Sequence, residues 1–143
     1  MKALFFRNLI ITLLLFPFVC IAGGASWENS SKEISKYQEK IEQNPNDCFS
    51  LSQLGSIRQY RREYYQAIEL YDRSYSICGN LLDLFQISFT YYVVGDHEKG
   101  RKLAKQAINL ASEQGNKDLE SMFLKEFEYL ESQIQLLTPE QTR

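Results

Sequence analysis

The sequence predicts an all-α protein, a short solenoid of helical hairpins closed by a C-terminal helix, on three observations. Apolar residues beyond position 30 recur at spacings of three and four, the period of one helix face. Breakers at Asn44-Pro45, Gly79-Asn80, Gly95-Asp96 and Gly115-Asn116 separate those stretches. Equivalent residues return after 33 or 34 positions, the length of one helix-turn-helix unit.

The chain has 143 residues, enough for one domain. Its start is a separate object. Lys2 and Arg7 form a basic end, Leu9 to Ile21 an apolar core, and Ala22, Gly23, Gly24 and Ala25 a small-residue exit. That order describes a secretory signal peptide over residues 1–25, with cleavage near Ala22 or Ala25. The apolar core covers about 20 Å at helical rise, against about 30 Å of bilayer hydrocarbon. An uncleaved anchor is the rival reading, and Arg7 limits any backward extension of the run. Cys20 has Val19 before it, where bacterial lipoprotein signals carry a small residue. The protein is therefore expected to be exported, periplasmic or secreted.

The chain's 16 basic residues, less Lys2 and Arg7, leave 14 against 18 acidic ones, a net charge of −4. No basic field remains to condense on nucleic acid, and membrane contact is expected only through an uncleaved export segment. Nine Phe and nine Tyr point to a well-filled core, a sticky surface, or both.

The helices follow in order. The first runs over 31–43, with Ile34, Tyr37 and Ile41 on one face; Asn44-Pro45 stops it and Asp47 caps the next. The second spans 48–61 with Leu51, Leu54 and Ile57 a turn apart. After Arg62-Glu63 a third covers 64–77, with Ala67, Leu70, Tyr71 and Ser74 inward. A fourth covers 81–94. A fifth covers 97–112, with Leu103, Ala104, Ala107, Ile108 and Ala111 inward. The last runs from Lys117 to Leu137 on a stripe of Leu119, Phe123, Phe127, Leu130, Ile134 and Leu137. Residues 138–143 are a polar tail.

Leu51 and Leu84, Leu54 and Ile87, Gly55 and Ser88, Ala67 and Gly100, and Ser74 and Ala107 each stand 33 apart; Pro45 and Gly79 stand 34 apart. Residues 48–80 place Leu51, Leu54 and Gly55 in one helix and Ala67, Tyr71 and Ser74 in the next. In this they resemble the tetratricopeptide repeat family, whose motif runs Trp-x2-Leu-Gly-x2-Tyr, Ala-x3-Phe and a small residue. Residues 81–114 resemble it more weakly: Gly100 and Ala104 stand for alanine and an aromatic, and Arg58 replaces a tyrosine in the unit before. Residues 31–47 look like the second half of an incomplete unit, and 117–137 like a capping helix. The resemblance implies a right-handed solenoid over 26–137.

With export assumed, only Cys48 and Cys78 remain. By themselves they are a disulfide or two buried thiols. The hairpin that the resemblance implies brings the ends of its two helices to one pole, so a Cys48–Cys78 disulfide is expected.

Catalysis has little to work with. His97 is the chain's one histidine and sits in a turn, so neither a zinc site nor a Cys–His nucleophile can be assembled. Glu126 and Glu128 point to different faces, and Gly23-Gly24 belongs to the export segment. No metal, no cofactor and no enzymatic activity are expected.

Binding is the better reading. The family grips peptides along the first helix of each unit. Carried over, that face comprises Phe49, Ser52, Gln53, Ser56, Gln59 and Tyr60, then Leu82, Phe85, Gln86, Phe89 and Tyr92. It is apolar and aromatic, which suits a hydrophobic peptide or helix from another protein of the cell envelope. Two alternatives stay open. The final helix covers Phe85, Phe89 and Tyr92, or its stripe at Phe123, Phe127, Leu130 and Ile134 pairs with a second copy of the chain. Arg58, Arg61, Arg62, Lys36 and Lys40 form a modest basic patch, read first as a solvated face.

Overall fold

Short polar side chains ahead of an apolar run start most of the helices. The computed structural model of the protein describes residues 30–137. It contains α1 (Ser30–Gln43), α2 (Cys48–Tyr60), α3 (Tyr64–Cys78), α4 (Leu81–Val93), α5 (His97–Glu113) and α6 (Lys117–Leu137). Among the described residues there is no strand. The export segment expected over 1–25 and the tail 138–143 lie outside them. Asp47, Asn80, Asp96 and Asn116 accept from the backbone N–H of Ser50, Leu82, Lys99 and Leu119, each at 3.1 Å. Each satisfies a donor that the helix itself cannot.

Three of these helices end alike. The N–H groups of Glu63, Asp96 and Asn116 reach back to the carbonyls of Arg58, Tyr91 and Ala111, each at 2.9 Å. That closure requires a left-handed residue just before the donor. Arg62 (φ 63°) and Gly95 (φ 90°) supply it at the same repeat position. Glycine adopts it freely, whereas arginine gives up roughly 1 kcal/mol or more.

All extensive contacts join helices adjacent in sequence: α1 with α2, α2 with α3, α3 with α4, α4 with α5, and α5 with α6. Such nearest-neighbour packing defines a solenoid. The repeat equivalences are physical as well as textual. Leu51 and Leu84, Leu54 and Ile87, Ala67 and Gly100, and Ser74 and Ala107 are all buried. The fold is thus all-α, a tetratricopeptide-like stack of two full hairpins.

The second hairpin is an exchanged version of the first. In the first, Gly55 on α2 lies beneath the ring of Tyr71 on α3; a Cβ there would stand 3.0 Å from Tyr71 Cε1. In the second, the aromatic moves to the leading helix and the glycine to the trailing one. A Cβ on Gly100 would come within 2.8 Å of the Tyr92 ring and 3.1 Å of the Ser88 carbonyl oxygen. Tyr92 stands 33 residues after Gln59, and Ala104 stands 33 after Tyr71. Each hairpin therefore keeps one ring over one glycine, with the partners on opposite helices.

Helix α6 continues the stack as a leading helix without a partner. Phe123 lies six residues into it, as Leu54 and Ile87 lie six into α2 and α4. It is completely buried, with Leu119, Met122 and Phe127 packed into the same cluster. Lys117, Ser121, Lys125 and Glu128 are exposed, the polar outer surface a terminal cap needs.

Cys48 and Cys78 are joined across the open end of the first hairpin, Cα to Cα 6.4 Å, 30 residues apart. The cross-link restricts the unfolded chain by roughly 3 to 4 kcal/mol in the chain-entropy description. Urea denaturation of the Cys48→Ser/Cys78→Ser protein should show a loss of roughly that size; an unchanged midpoint would mean the bond does not constrain the chain. Gly100→Ala should cost about 1 to 3 kcal/mol, because the Ser88 carbonyl cannot swing aside as a side chain can. A neutral result in the same experiment would refute the close approach of α4 and α5.

Candidate functional site

The first-helix face expected from the repeat pattern divides into exposed, half-buried and buried residues. Phe49, on the first turn of α2, is 60% exposed, Tyr60 on its last turn is 61% exposed, and Leu82 on α4 is 38% exposed. Gln53, Ser56, Gln59, Gln86 and Phe89 are half-buried. Phe49 meets Tyr37 of α1 edge to face, centroids 6.4 Å apart. Ser56 and Gln59 are engaged from below. The Tyr71 hydroxyl lies 3.0 Å from Ser56 Oγ and donates to Gln59 Oε1 at 2.9 Å.

Phe85 and Tyr92 are not on that surface. Phe85 stacks on Phe123 of α6 with centroids 4.4 Å apart and planes 4° from parallel. Tyr92 is buried and its hydroxyl donates to Glu131 Oε1 at 2.5 Å. Both are core residues, because α6 packs on the second hairpin and takes them out of solvent. The same packing accounts for the apolar stripe of α6. Phe123 is fully buried, and Phe127, Leu130 and Ile134 are half-buried.

Two polar constellations at the joints escaped the sequence reading. At the joint between hairpins, Asp83 is buried on the first turn of α4. Its Oδ2 accepts from Ser74 Oγ at 2.7 Å and from Ser52 Oγ at 2.8 Å. The two hydroxyl oxygens are 3.0 Å apart, and Ser74 also reaches the Cys48 carbonyl at 3.1 Å. Burial pushes the Asp83 carboxyl up from its ordinary value, while Ser74, Ser52 and Asn80 pull it partly back. In sequence Asp83 reads as an acid welcome at a helix N-terminus; nothing in the periodicity says that the next hairpin covers it. Ser52, expected on the docking face, belongs to this joint.

At the second joint Glu131 ties α6 to both helices beneath. Its Oε2 accepts from Arg101 Nε at 3.0 Å and Nη2 at 2.9 Å, and its Oε1 from Tyr92. Burial opposes the carboxylate's charge, but the Tyr92 and Arg101 bonds outweigh it and hold Glu131 below its ordinary range. Burial, with that carboxylate alongside, pushes the Tyr92 phenol up.

The basic patch is partly neutralised. Glu63 pairs with Arg58 at 2.5 Å and with Arg61 at 3.0 Å, and the Arg58 hydrogen bond leads the effects that lower the Glu63 carboxyl. His97 stacks near Tyr92, ring centroids 6.0 Å apart. Among the described residues no three His, Cys, Asp or Glu side chains group to hold a metal.

Fold and surface together define a helical-repeat protein whose polar groups are spent on its joints and whose exposed face carries scattered large apolar side chains. No family model matches the sequence, and no curated protein matches it. Solved structures do match. One is described as the crystal structure of MamA, similar at 12% identity over 78% of this chain and 98% of that chain, with a TM-score of 0.39. The fold itself rests on the packing described above.

Because the folded state holds the Asp83 proton more tightly than the unfolded chain, this group's stabilisation is full in acid and is lost as pH rises through the folded pKa. Asp83→Asn keeps a neutral polar group at every pH. The thermal midpoint of the variant relative to the native chain should therefore rise by a few degrees between about pH 4 and pH 7.5. A constant or shrinking difference across that range would contradict a costly buried charge.

Proposed function

We propose that this chain is an exported, non-catalytic adaptor or assembly factor of the cell envelope, related to small tetratricopeptide proteins. It holds a peptide or helix of another protein on the face of its leading helices. One observation carries the reading. Phe49 and Leu82 occupy the same repeat position, 33 residues apart, and both are exposed. Phe49 meets Tyr37 along one edge, yet most of its ring stays in water. Large apolar side chains left open at matched places in consecutive hairpins, regularly spaced along a stack, suit an extended partner.

Tyr60 and the half-buried Gln53, Ser56, Gln59, Gln86 and Phe89 complete the face. Phe85 and Tyr92, being core, shape it from below. Export is supported by the basic, apolar and small-residue order of residues 1–25. A disulfide partly open to solvent, Cys78 being exposed, suits an oxidising compartment. Among the described residues no helix is long and apolar enough to cross a membrane.

A second reading, self-association through the C-terminal helix, draws on Leu136, 76% exposed, and Tyr129, 45% exposed. Phe123 is unavailable to it.

Phe49→Ser/Leu82→Ser separates these readings. The substitutions touch largely exposed side chains and remove one edge-to-face ring contact, so the circular dichroism melt should stay within about 1.5 kcal/mol of native. Retention of envelope proteins on the immobilised chain should fall at least tenfold, about 1.4 kcal/mol. Undiminished retention would sink the leading-helix face. A dimer in sedimentation that dissociates on Leu136→Ser would favour the second reading.

A further inference from the structure

A cleft of about 470 Å³ opens on the opposite side of the stack, between the trailing helices α3 and α5. Leu84 and Ile87 of α4 form its apolar floor. Its α3 wall is one helix face, with Tyr65, Ile68, Glu69, Asp72 and Tyr75 at spacings of three, one, three and three. Tyr65 is 76% exposed, and Glu69 and Asp72 are exposed as well. The facing wall supplies Lys99 and Leu103.

The cleft already receives one ammonium group. Lys99 Nζ sits 4.2 Å from the centroid of the Tyr91 ring. Tyr91 leads the effects that favour its charged form, with Asp96 on its own side and then Asp72 from across the cleft adding to them. Lys99 is exposed, so this cation on an aromatic face is of the solvent-open kind, modestly favourable. The α3 wall adds a second carboxylate, Glu69, and two further rings to the Asp72 that already faces Lys99. Tyr65 and Tyr75 flank Glu69 and Asp72, and neither carboxylate is in a salt bridge among the described residues. Two acids against one lysine leave the cleft negative. The leading-helix face differs in kind, since Gln53, Ser56, Gln59 and Gln86 carry no charge.

We infer that the α3–α5 cleft is a second docking surface, taking a lysine or arginine of a partner polypeptide together with a neighbouring apolar side chain. The cationic group lies on Tyr65 or Tyr75 beside Glu69 and Asp72, and the apolar one covers Ile68 and Leu103. The two faces then select different chemistry, apolar segments in front and basic ones behind.

The test is an NMR titration of the full chain, tyrosine rings 13C-labelled, with the peptide acetyl-Leu-Arg-Leu-Lys-Leu-amide and its twin bearing glutamine at both basic positions. The basic peptide should move the Tyr65 and Tyr75 ring signals and the glutamine twin should not. Glu69→Gln/Asp72→Asn should weaken binding about fivefold, the scale of two partly exposed ion pairs. Raising salt from about 0.05 to 0.5 M should weaken it further. Equal affinity in the double variant, or equal response to the glutamine twin, overturns the proposal. So does a Tyr65 shift that appears on concentrating the protein alone, which assigns the cleft to a second copy. Shifts at Tyr60 with Tyr65 and Tyr75 unmoved also overturn it, while leaving the leading-helix face standing.

Discussion

The contact between an aromatic ring and a glycine inside each hairpin is the constraint on which the remaining packing depends. Two helices approach closely only where one presents no side chain, and a flat ring fills the space with the least loss of rotamer freedom. Tyr71 over Gly55 and Tyr92 over Gly100 meet that need with the partners exchanged between helices. The exchange has consequences further out. Tyr71 turns its hydroxyl toward Ser56 and Gln59 on the leading helix, whereas Tyr92 turns its own toward Glu131 on α6. One hairpin therefore supports the proposed docking face, and the other anchors the cap.

The two joints between units are built from different chemistry. The first sets a buried carboxylate shared by two serines, beside the disulfide, at the edge of an apolar cluster in which Ala67 and Tyr71 of α3 meet Ile87 of α4. The second is aromatic, Phe85 flat on Phe123, with the Glu131–Arg101–Tyr92 cluster at its far end. An apolar joint gains from the area it removes from water, about 25 cal/mol per Å². A buried carboxylate brings a desolvation cost that its hydrogen bonds only partly offset. The covalent cross-link lies in the hairpin next to the joint that buries Asp83, where it restricts the unfolded chain and offsets part of that desolvation cost.

Function on such a scaffold is a matter of surfaces. The carboxylates of Asp83 and Glu131 are engaged at the joints, Asp83 by Ser52 and Ser74 and Glu131 by Tyr92 and Arg101. What faces solvent is apolar in front, at Phe49 and Leu82, and aromatic with acidic flanks behind, at Tyr65, Glu69 and Asp72. Rigid presentation of separated side chains is what a stack of hairpins does well, because each unit fixes the spacing of the next.

The sequence by itself determined the helices, the cap at Asp47 and the pairing of the helices. Periodicity and the breakers are local signals, and a repeat of 33 residues states the same packing twice. The buried positions Leu51, Leu54, Ala67, Ala104, Ala107 and Phe123 were legible for that reason. Only the tertiary structure decided the fate of Phe85 and Tyr92, the burial of Asp83 and the pairing of Glu131 with Arg101. Each depends on which face of a later helix arrives over an earlier one, a choice set by crossing geometry that periodicity does not encode. An aromatic residue one turn along a helix reads the same whether it meets water or another ring.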